Sequence, residues 1–171
     1  KPFGYEVLLE DLPNIATGKT VTYLSQWEEA YAGNGASTLV DGQLADKRGD
    51  HPHWQGFKLN DLEVVVDLGQ VQTVSSCWMR FFQHAAMTRV QFPSSIQVLG
   101  SYDGIKYRLL SDRKIEINTS VKAMITKFRL DFDPKDVRYV KFLAVNPKEL
   151  FPGHPWTGQD AWIFADELGI K

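Results

Sequence analysis

The chain has 171 residues, 43% of them hydrophobic and 23% charged, the composition and length of one globular unit with a sizeable core. A formal net charge of -2 and a pI near 6.1 leave no surplus of Lys and Arg to neutralise a phosphate backbone or to dock on an anionic bilayer. No apolar run approaches the roughly 20 residues needed to cross a membrane, and the single cysteine rules out an intrachain disulfide.

Along the chain, residues 1–12 read as a tail from a preceding domain. An opening Lys1 in place of Met suggests a fragment or a processed chain, with any export signal upstream. The first convincing element is expected within residues 14–23, and residues 25–31 offer a turn or two of helix. Leu62, Val64, Val66 and Leu68 then alternate with Glu63, Val65 and Asp67, the period of two that marks a half-buried strand. Cys77 lies in the apolar run of residues 74–82, which predicts a buried small hydrophobe rather than a nucleophile. A strand at 95–99 is followed by the turn pair Asp103-Gly104. Thr126, Phe128, Leu130 and Phe132 alternate with charged residues; Asp133-Pro134 is expected to turn the chain into a further strand over 137–145, which ends at Asn146-Pro147. A last helical turn is expected at 147–150. Strands separated in this way predict an all-β antiparallel sandwich or barrel.

Three segments are too long and too polar for tight hairpins: 42–60, 83–93 and 147–160. Trp27, Tyr31, Trp54, Phe57, Phe82, Phe151 and Trp156 sit in or beside these loops or the one around Trp27, a distribution that suggests a binding rim. A pyranose presents an apolar C–H face and an edge of hydroxyls, so its receptor needs a flat aromatic side chain and a few fixed polar groups. Trp27, Tyr31 and Trp156 are the candidates for stacking, the alternative being that they pack beneath the loops. Gln83, His84 and Arg89 are candidates to hydrogen-bond hydroxyls, with Glu28 or Glu29 as acceptors from the same edge. Trp54, Trp78 and Trp162, in strand-like positions, are expected in the core.

Catalysis is not legible. No two carboxylates can be paired across a cleft, and no Ser/His/Asp set, phosphate loop or Cys pair appears. His51-Pro52-His53 with His84 and His154 invites a zinc reading, which a Pro-containing polar loop disfavours.

The strings Ala36-Ser37-Thr38-Leu39-Val40-Asp41-Gly42, Val66-Asp67-Leu68-Gly69, Ser101-Tyr102-Asp103-Gly104 and Ala161-Trp162-Ile163-Phe164-Ala165-Asp166-Glu167-Leu168 resemble, in order and spacing, the factor V/VIII type C (discoidin) domain. Within that family, Trp54-Gln55-Gly56-Phe57 and the closing string resemble the carbohydrate-binding modules of family 32. The resemblance implies a galactose-binding-like jelly-roll β-sandwich over residues 13–171. It also implies a structural calcium held by the Thr38 carbonyl, the Asp41 carboxylate, the Gln43 carbonyl, the Asp166 carbonyl and the Glu167 carboxylate. Where relatives commonly carry Thr, two residues before Trp54, this chain has Pro52, so the remaining ligand is expected from Asp46 or Asp50.

The implied function is that of a non-catalytic, monomeric module that brings a parent glycoside hydrolase, of the Bacteroides β-N-acetylhexosaminidase or chitobiase type, to glycans ending in galactose, GalNAc or GlcNAc. The resemblance places such a protein outside the cell, in the periplasm or on the outer surface. A protein or lipid adhesion domain of discoidin type, or a structural spacer, is the competing expectation.

Overall fold

The computed structural model describes residues 13–171, and the expected tail, residues 1–12, lies outside the described residues. Among the described residues seven strands carry the fold: β1 (Thr20–Tyr23), β2 (Gln55–Lys58), β3 (Leu62–Gln83), β4 (Ser95–Ser101), β5 (Tyr107–Lys114), β6 (Met124–Val145) and β7 (Trp162–Ile170). All pair antiparallel, in the order β2-β7-β3-β6-β4-β5, with β1 added to β3.

The two 22-residue strands, β3 and β6, explain how a continuous hydrogen-bonded path becomes two layers. Their pairing slips twice. Residues 68–71 of β3 bulge between the Asp67/Tyr139 and Gln72/Val137 pairs, and residues 132–134 of β6 bulge between the Val74/Lys135 and Ser76/Asp131 pairs. Bulges bend and twist a ribbon, so its two halves diverge. One half, residues 62–67 with 139–144, carries β4, β5 and β1; the other, residues 76–83 with 124–131, carries β7 and β2.

The apolar positions of both halves meet in one core. Val64, Val66, Cys77, Met79, Phe81, Val98, Val140, Phe142, Ile163 and Leu168 are buried there, each large side chain contributing roughly 1.5–3 kcal/mol by leaving water. Burial pushes the Cys77 thiol pKa up, which fits a packed, unreactive sulfur.

The alternation at 62–68 and 126–132 therefore lies in strands, as expected. Asp133-Pro134, expected as a turn, is instead inside β6, in the bulge that leaves it without a Cα partner on β3; a proline lacking its N–H is tolerated there. The segment 42–60 is not all loop, since Gln55–Lys58 pairs with β7. Among the described residues helix is confined to 3-10 turns at Glu29–Tyr31 and Gly35–Val40, with none at 147–150. Among the described residues no helix is long and apolar enough to cross a membrane.

β7 is apolar on both faces, which positions everything that follows. Ile163 and Ala165 enter the main core, while Phe164 faces the other way and joins Ala45, Trp54, Phe82 and Val90 in a second, smaller cluster flanked by Tyr31 and Trp162. Trp54 is thus buried as expected, but Trp78 is not a core residue: it lies half-buried over Gly169, with the Lys127 ammonium 4.3 Å above its ring.

Candidate functional site

One edge of the second cluster, Val90 and Phe164 with the flanking Tyr31 and Trp162, lines a cavity of about 600 Å³. Tyr31, Trp162 and Phe164 give it an aromatic wall. Tyr31 meets Trp162 edge-on at 5.4 Å and Phe164 at 4.8 Å between ring centroids. Trp162 and Phe164 share a face because they are two residues apart on a strand. Tyr31 reaches them from the 3-10 turn because Gly56, beneath it, has no side chain.

The opposite walls come from two loops. Residues 84–90 supply His84, Met87, Thr88, Arg89 and Val90. This loop is fastened to β7 by the Trp162 N–H donating to the Arg89 carbonyl at 3.0 Å, and closed on itself by the Thr88 hydroxyl donating to the His84 carbonyl at 2.7 Å. Residues 47–50 supply Lys47, Arg48, Gly49 and Asp50. Trp54, stacked on Phe82 at 5.3 Å, donates its Nε1–H to the carbonyls of Asp46 and Arg48, on either side of Lys47. Both loops are therefore anchored to the aromatic cluster.

Of the expected sugar contacts, the structure brings Tyr31, His84 and Arg89 into this one cavity. Trp156 lines an adjoining recess of about 170 Å³ with Gln159, sharing Met87, Thr88 and Arg89 as the common wall. Its loop is shaped by His154, buried against Phe151, whose Nδ1 accepts from the Trp156 N–H at 3.0 Å.

The other candidates lie elsewhere. Gln83 is buried, its Nε2 donating to the Asn118 carbonyl and its Oε1 accepting from the Phe92 N–H, so both ends of the amide brace backbone. Trp27 packs edge-on to Tyr23 at 4.6 Å against the main core and lines neither this cavity nor the adjoining recess; its Nε1 is buried without a partner. Glu28 precedes the Glu29–Tyr31 turn, its N–H donating to the Gly56 carbonyl. Trp54, Phe57, Phe82 and Phe151, counted as rim aromatics from sequence, are buried under the loops.

Trp162, Phe164, Lys47 and Arg48 also line this cavity and were not among the expected sugar contacts. The available signal was the closing string, where apolar residues occupy both parities of a strand. That pattern demands cover on two faces, and only one can be the main core.

A second constellation joins the middle of β7 to the 38–45 segment. A bulge between the Arg80/Glu167 and Phe81/Ala165 pairs leaves Asp166 unmatched, so consecutive carboxylates, Asp166 and Glu167, are both buried. Glu167 Oε2 accepts from the Gly42 N–H at 3.0 Å. Asp166 Oδ2 accepts from the Ala45 N–H at 2.8 Å and from Arg80 Nη1 at 3.0 Å. The remaining oxygens, Glu167 Oε1 and Asp166 Oδ1, are buried with no donor.

Burial first, and then the negative charge of Asp41, pushes the Glu167 pKa up to about 8; burial pushes Asp166 up to about 6 against the pull of the Ala45 N–H and Arg80. Asp41 itself accepts from the Gln43 N–H and from Asn34 Nδ2. The Thr38 hydroxyl is spent in its own turn, accepting from the Asn34 N–H and donating to the Gly35 carbonyl, so the oxygen it has left for a ligand is its carbonyl. Among the described residues no group of three or more His, Cys, Asp and Glu is arranged around a point, so any cation here would lean on backbone carbonyls. Asp46 is held by Arg48 at 3.0 Å and Asp50 lines the aromatic cavity, so neither is brought to this constellation.

The F5/8 type C domain model matches residues 20–168. A comparison with curated proteins found no match. Among solved structures, the fold is similar to chitosan-binding module 1 from a chitosanase/glucanase of Paenibacillus sp. IK-5, at 17% identity and a TM-score of 0.58 over 94% of this chain and 99% of that one. It is also similar to a Clostridium perfringens module in complex with GalNAc-β-1,3-galactose (15%, 0.55, over 88% and 92%). A third is the C-terminal domain of a Bacteroides fragilis chitobiase (14%, 0.53, over 93% and 97%). These likenesses show a shared discoidin-type β-sandwich, and the match across residues 20–168 shows that the chain belongs to the F5/8 type C domain family.

Proposed function

We propose that the domain is a non-catalytic carbohydrate-binding module, and that its ligand enters the cavity between Tyr31, Trp162, His84 and Arg89. The observation that carries this reading is the joining of an aromatic wall and polar side chains in one open space of about 600 Å³, within the size range of small-ligand sites. An apolar pyranose face is offered Tyr31 or Trp162, while the Arg89 guanidinium can span two vicinal oxygens and His84 adds a third polar contact. Trp156 and Gln159 extend the surface to a second sugar unit. The sugar-binding modules named above support the reading by sharing the fold.

A site of this kind, with one stacked ring and a few hydrogen bonds in competition with water, binds with a dissociation constant of about 0.1–1 mM. Such affinity serves a tethered domain, because linkage raises the effective concentration of the enzyme near its substrate. The module is accordingly assigned, as part of the proposal, to a secreted, periplasmic or surface-exposed glycoside hydrolase of the chitobiase or β-N-acetylhexosaminidase type. It acts as a monomer on termini of the galactose, GalNAc or GlcNAc class.

The proposal includes a structural calcium. Glu167 Oε1 and Asp166 Oδ1 are buried without donors beside Asp41, an arrangement that suits a hard cation taking oxygen ligands from loops. Glu167, Asp41 and the carbonyls of Thr38, Gln43 and Asp166 would hold it. When bound, the ion supplies the positive charge that these carboxylates lack and ties the 38–45 segment to β7.

A glycan array probed with the intact domain and with Tyr31→Ala tests the function. Binding to hexose or N-acetylhexosamine termini that the variant loses is expected. A silent array with folded protein, or vesicle binding in its place, would overturn the reading.

A further inference from the structure

The chain is acidic overall, yet the cavity wall is basic: Lys47, Arg48 and Arg89 face it, against Asp50 as its one carboxylate. These cations are not equivalent. Arg48 is neutralised by Asp46 at 3.0 Å, and Asp50 adds to the negative charge around it. Lys47 and Arg89 have no carboxylate within ion-pair distance among the described residues. Both are also placed by backbone contacts to the aromatic cluster. The Arg89 carbonyl accepts from the Trp162 N–H, and the carbonyls flanking Lys47 accept from Trp54 Nε1. Positive charge that no ion pair takes up thus lies beside the rings on which a sugar would stack.

We infer that the saccharide this cavity selects carries an anionic group, a carboxylate or a sulfate ester, on the stacked ring or its neighbour, received by Arg89 and Lys47. The inference rests on the glycan reading above and narrows it. Charge-assisted hydrogen bonds from the guanidinium and the ammonium favour such a ligand over its neutral counterpart by about tenfold. The same charges oppose glucosamine polymers, whose ammonium groups meet a wall of like sign, so the ligand class differs from that in the name of the chitosan-binding neighbour.

Calorimetric titration of the intact domain with galactose, galacturonic acid, galactose 6-sulfate and glucosamine oligomers, at low and high salt, tests this. The expected result is binding of the uronate, the sulfate or both about tenfold tighter than galactose, with the ratio shrinking in salt and glucosamine inert. Tighter binding of only one anion identifies the group. The anion-to-neutral ratio falls towards one in Arg89→Gln and in Lys47→Met, each checked for an unchanged melting midpoint. Galactose binding as well as or better than both anions, or a ratio unchanged in both variants, overturns the inference and leaves the glycan reading standing. No binding of any saccharide overturns both.

Discussion

A methyl group on the Cα of Gly56 would lie 3.0 Å from the Cβ of Tyr31 and 2.7 Å from the Phe164 ring. The glycine of the Trp54-Gln55-Gly56-Phe57 string is thus the seat of the aromatic wall. Gly56→Ala is expected to displace Tyr31 from Phe164, at a stability cost of about 1–3 kcal/mol from overpacking and with weakened sugar binding. Denaturant melts paired with titration check it; unchanged affinity would detach Gly56 from the site.

Tyr31 and Trp27, equal candidates in sequence, separate in the structure. Tyr31→Ala removes a ring from the cavity and is expected to lower saccharide affinity about tenfold. Trp27→Phe keeps a ring against Tyr23 and deletes a buried N–H that has no acceptor, so both affinity and midpoint are expected to stay within error. Loss of binding in the Trp27 variant would move the site.

Calcium removal is expected to lower the melting midpoint. At calcium about 100-fold above its dissociation constant the stabilisation is about 2.7 kcal/mol, or roughly 5–10 °C for a domain of this size. Glu167→Gln, which abolishes one ligand charge, is expected to erase the difference between calcium and chelator. A midpoint indifferent to chelator in the unaltered domain would remove the ion from the account.

His154 gives the domain a pH dependence of known sign. Burial holds its pKa below the ordinary histidine value, and its Nδ1 must remain an acceptor for the Trp156 N–H. Its contribution is fully present above the unfolded pKa, near 6.5, and is lost as pH falls from there towards the lowered native value. The raised carboxyls of Asp166 and Glu167 act in the opposite sense over this range, so the reading is a difference: relative to His154→Gln, the midpoint of the unaltered domain is expected to fall between pH 7 and pH 5, with a change in tryptophan fluorescence. A variant with the original slope would assign the effect elsewhere.

Much of this architecture was readable before coordinates. Leu62 to Leu68 and Thr126 to Phe132 alternate because one side of each strand faces a common core, and that pattern needs only local information. The path through Asp133-Pro134 was hidden because a turn pair and a bulge share the same residues, and only pairing with β3 distinguishes them. At the candidate site, Tyr31, His84 and Arg89, picked out by loop length and residue chemistry, line one cavity. Gln83 was misplaced because its neighbours are polar while its amide turns inward to the Phe92 and Asn118 backbones. Trp162 was assigned inward because a Trp in an apolar run ordinarily is; here Ile163 faces the core and Trp162 the cavity.

β3 and β6 belong to both layers of the sandwich, and this removes any seam along which the domain could come apart. A fault opened in either half propagates through the same two covalent strands into the other, so melting is expected to be all-or-none. The cavity and the carboxylate constellation then persist or vanish together, although different loops build them.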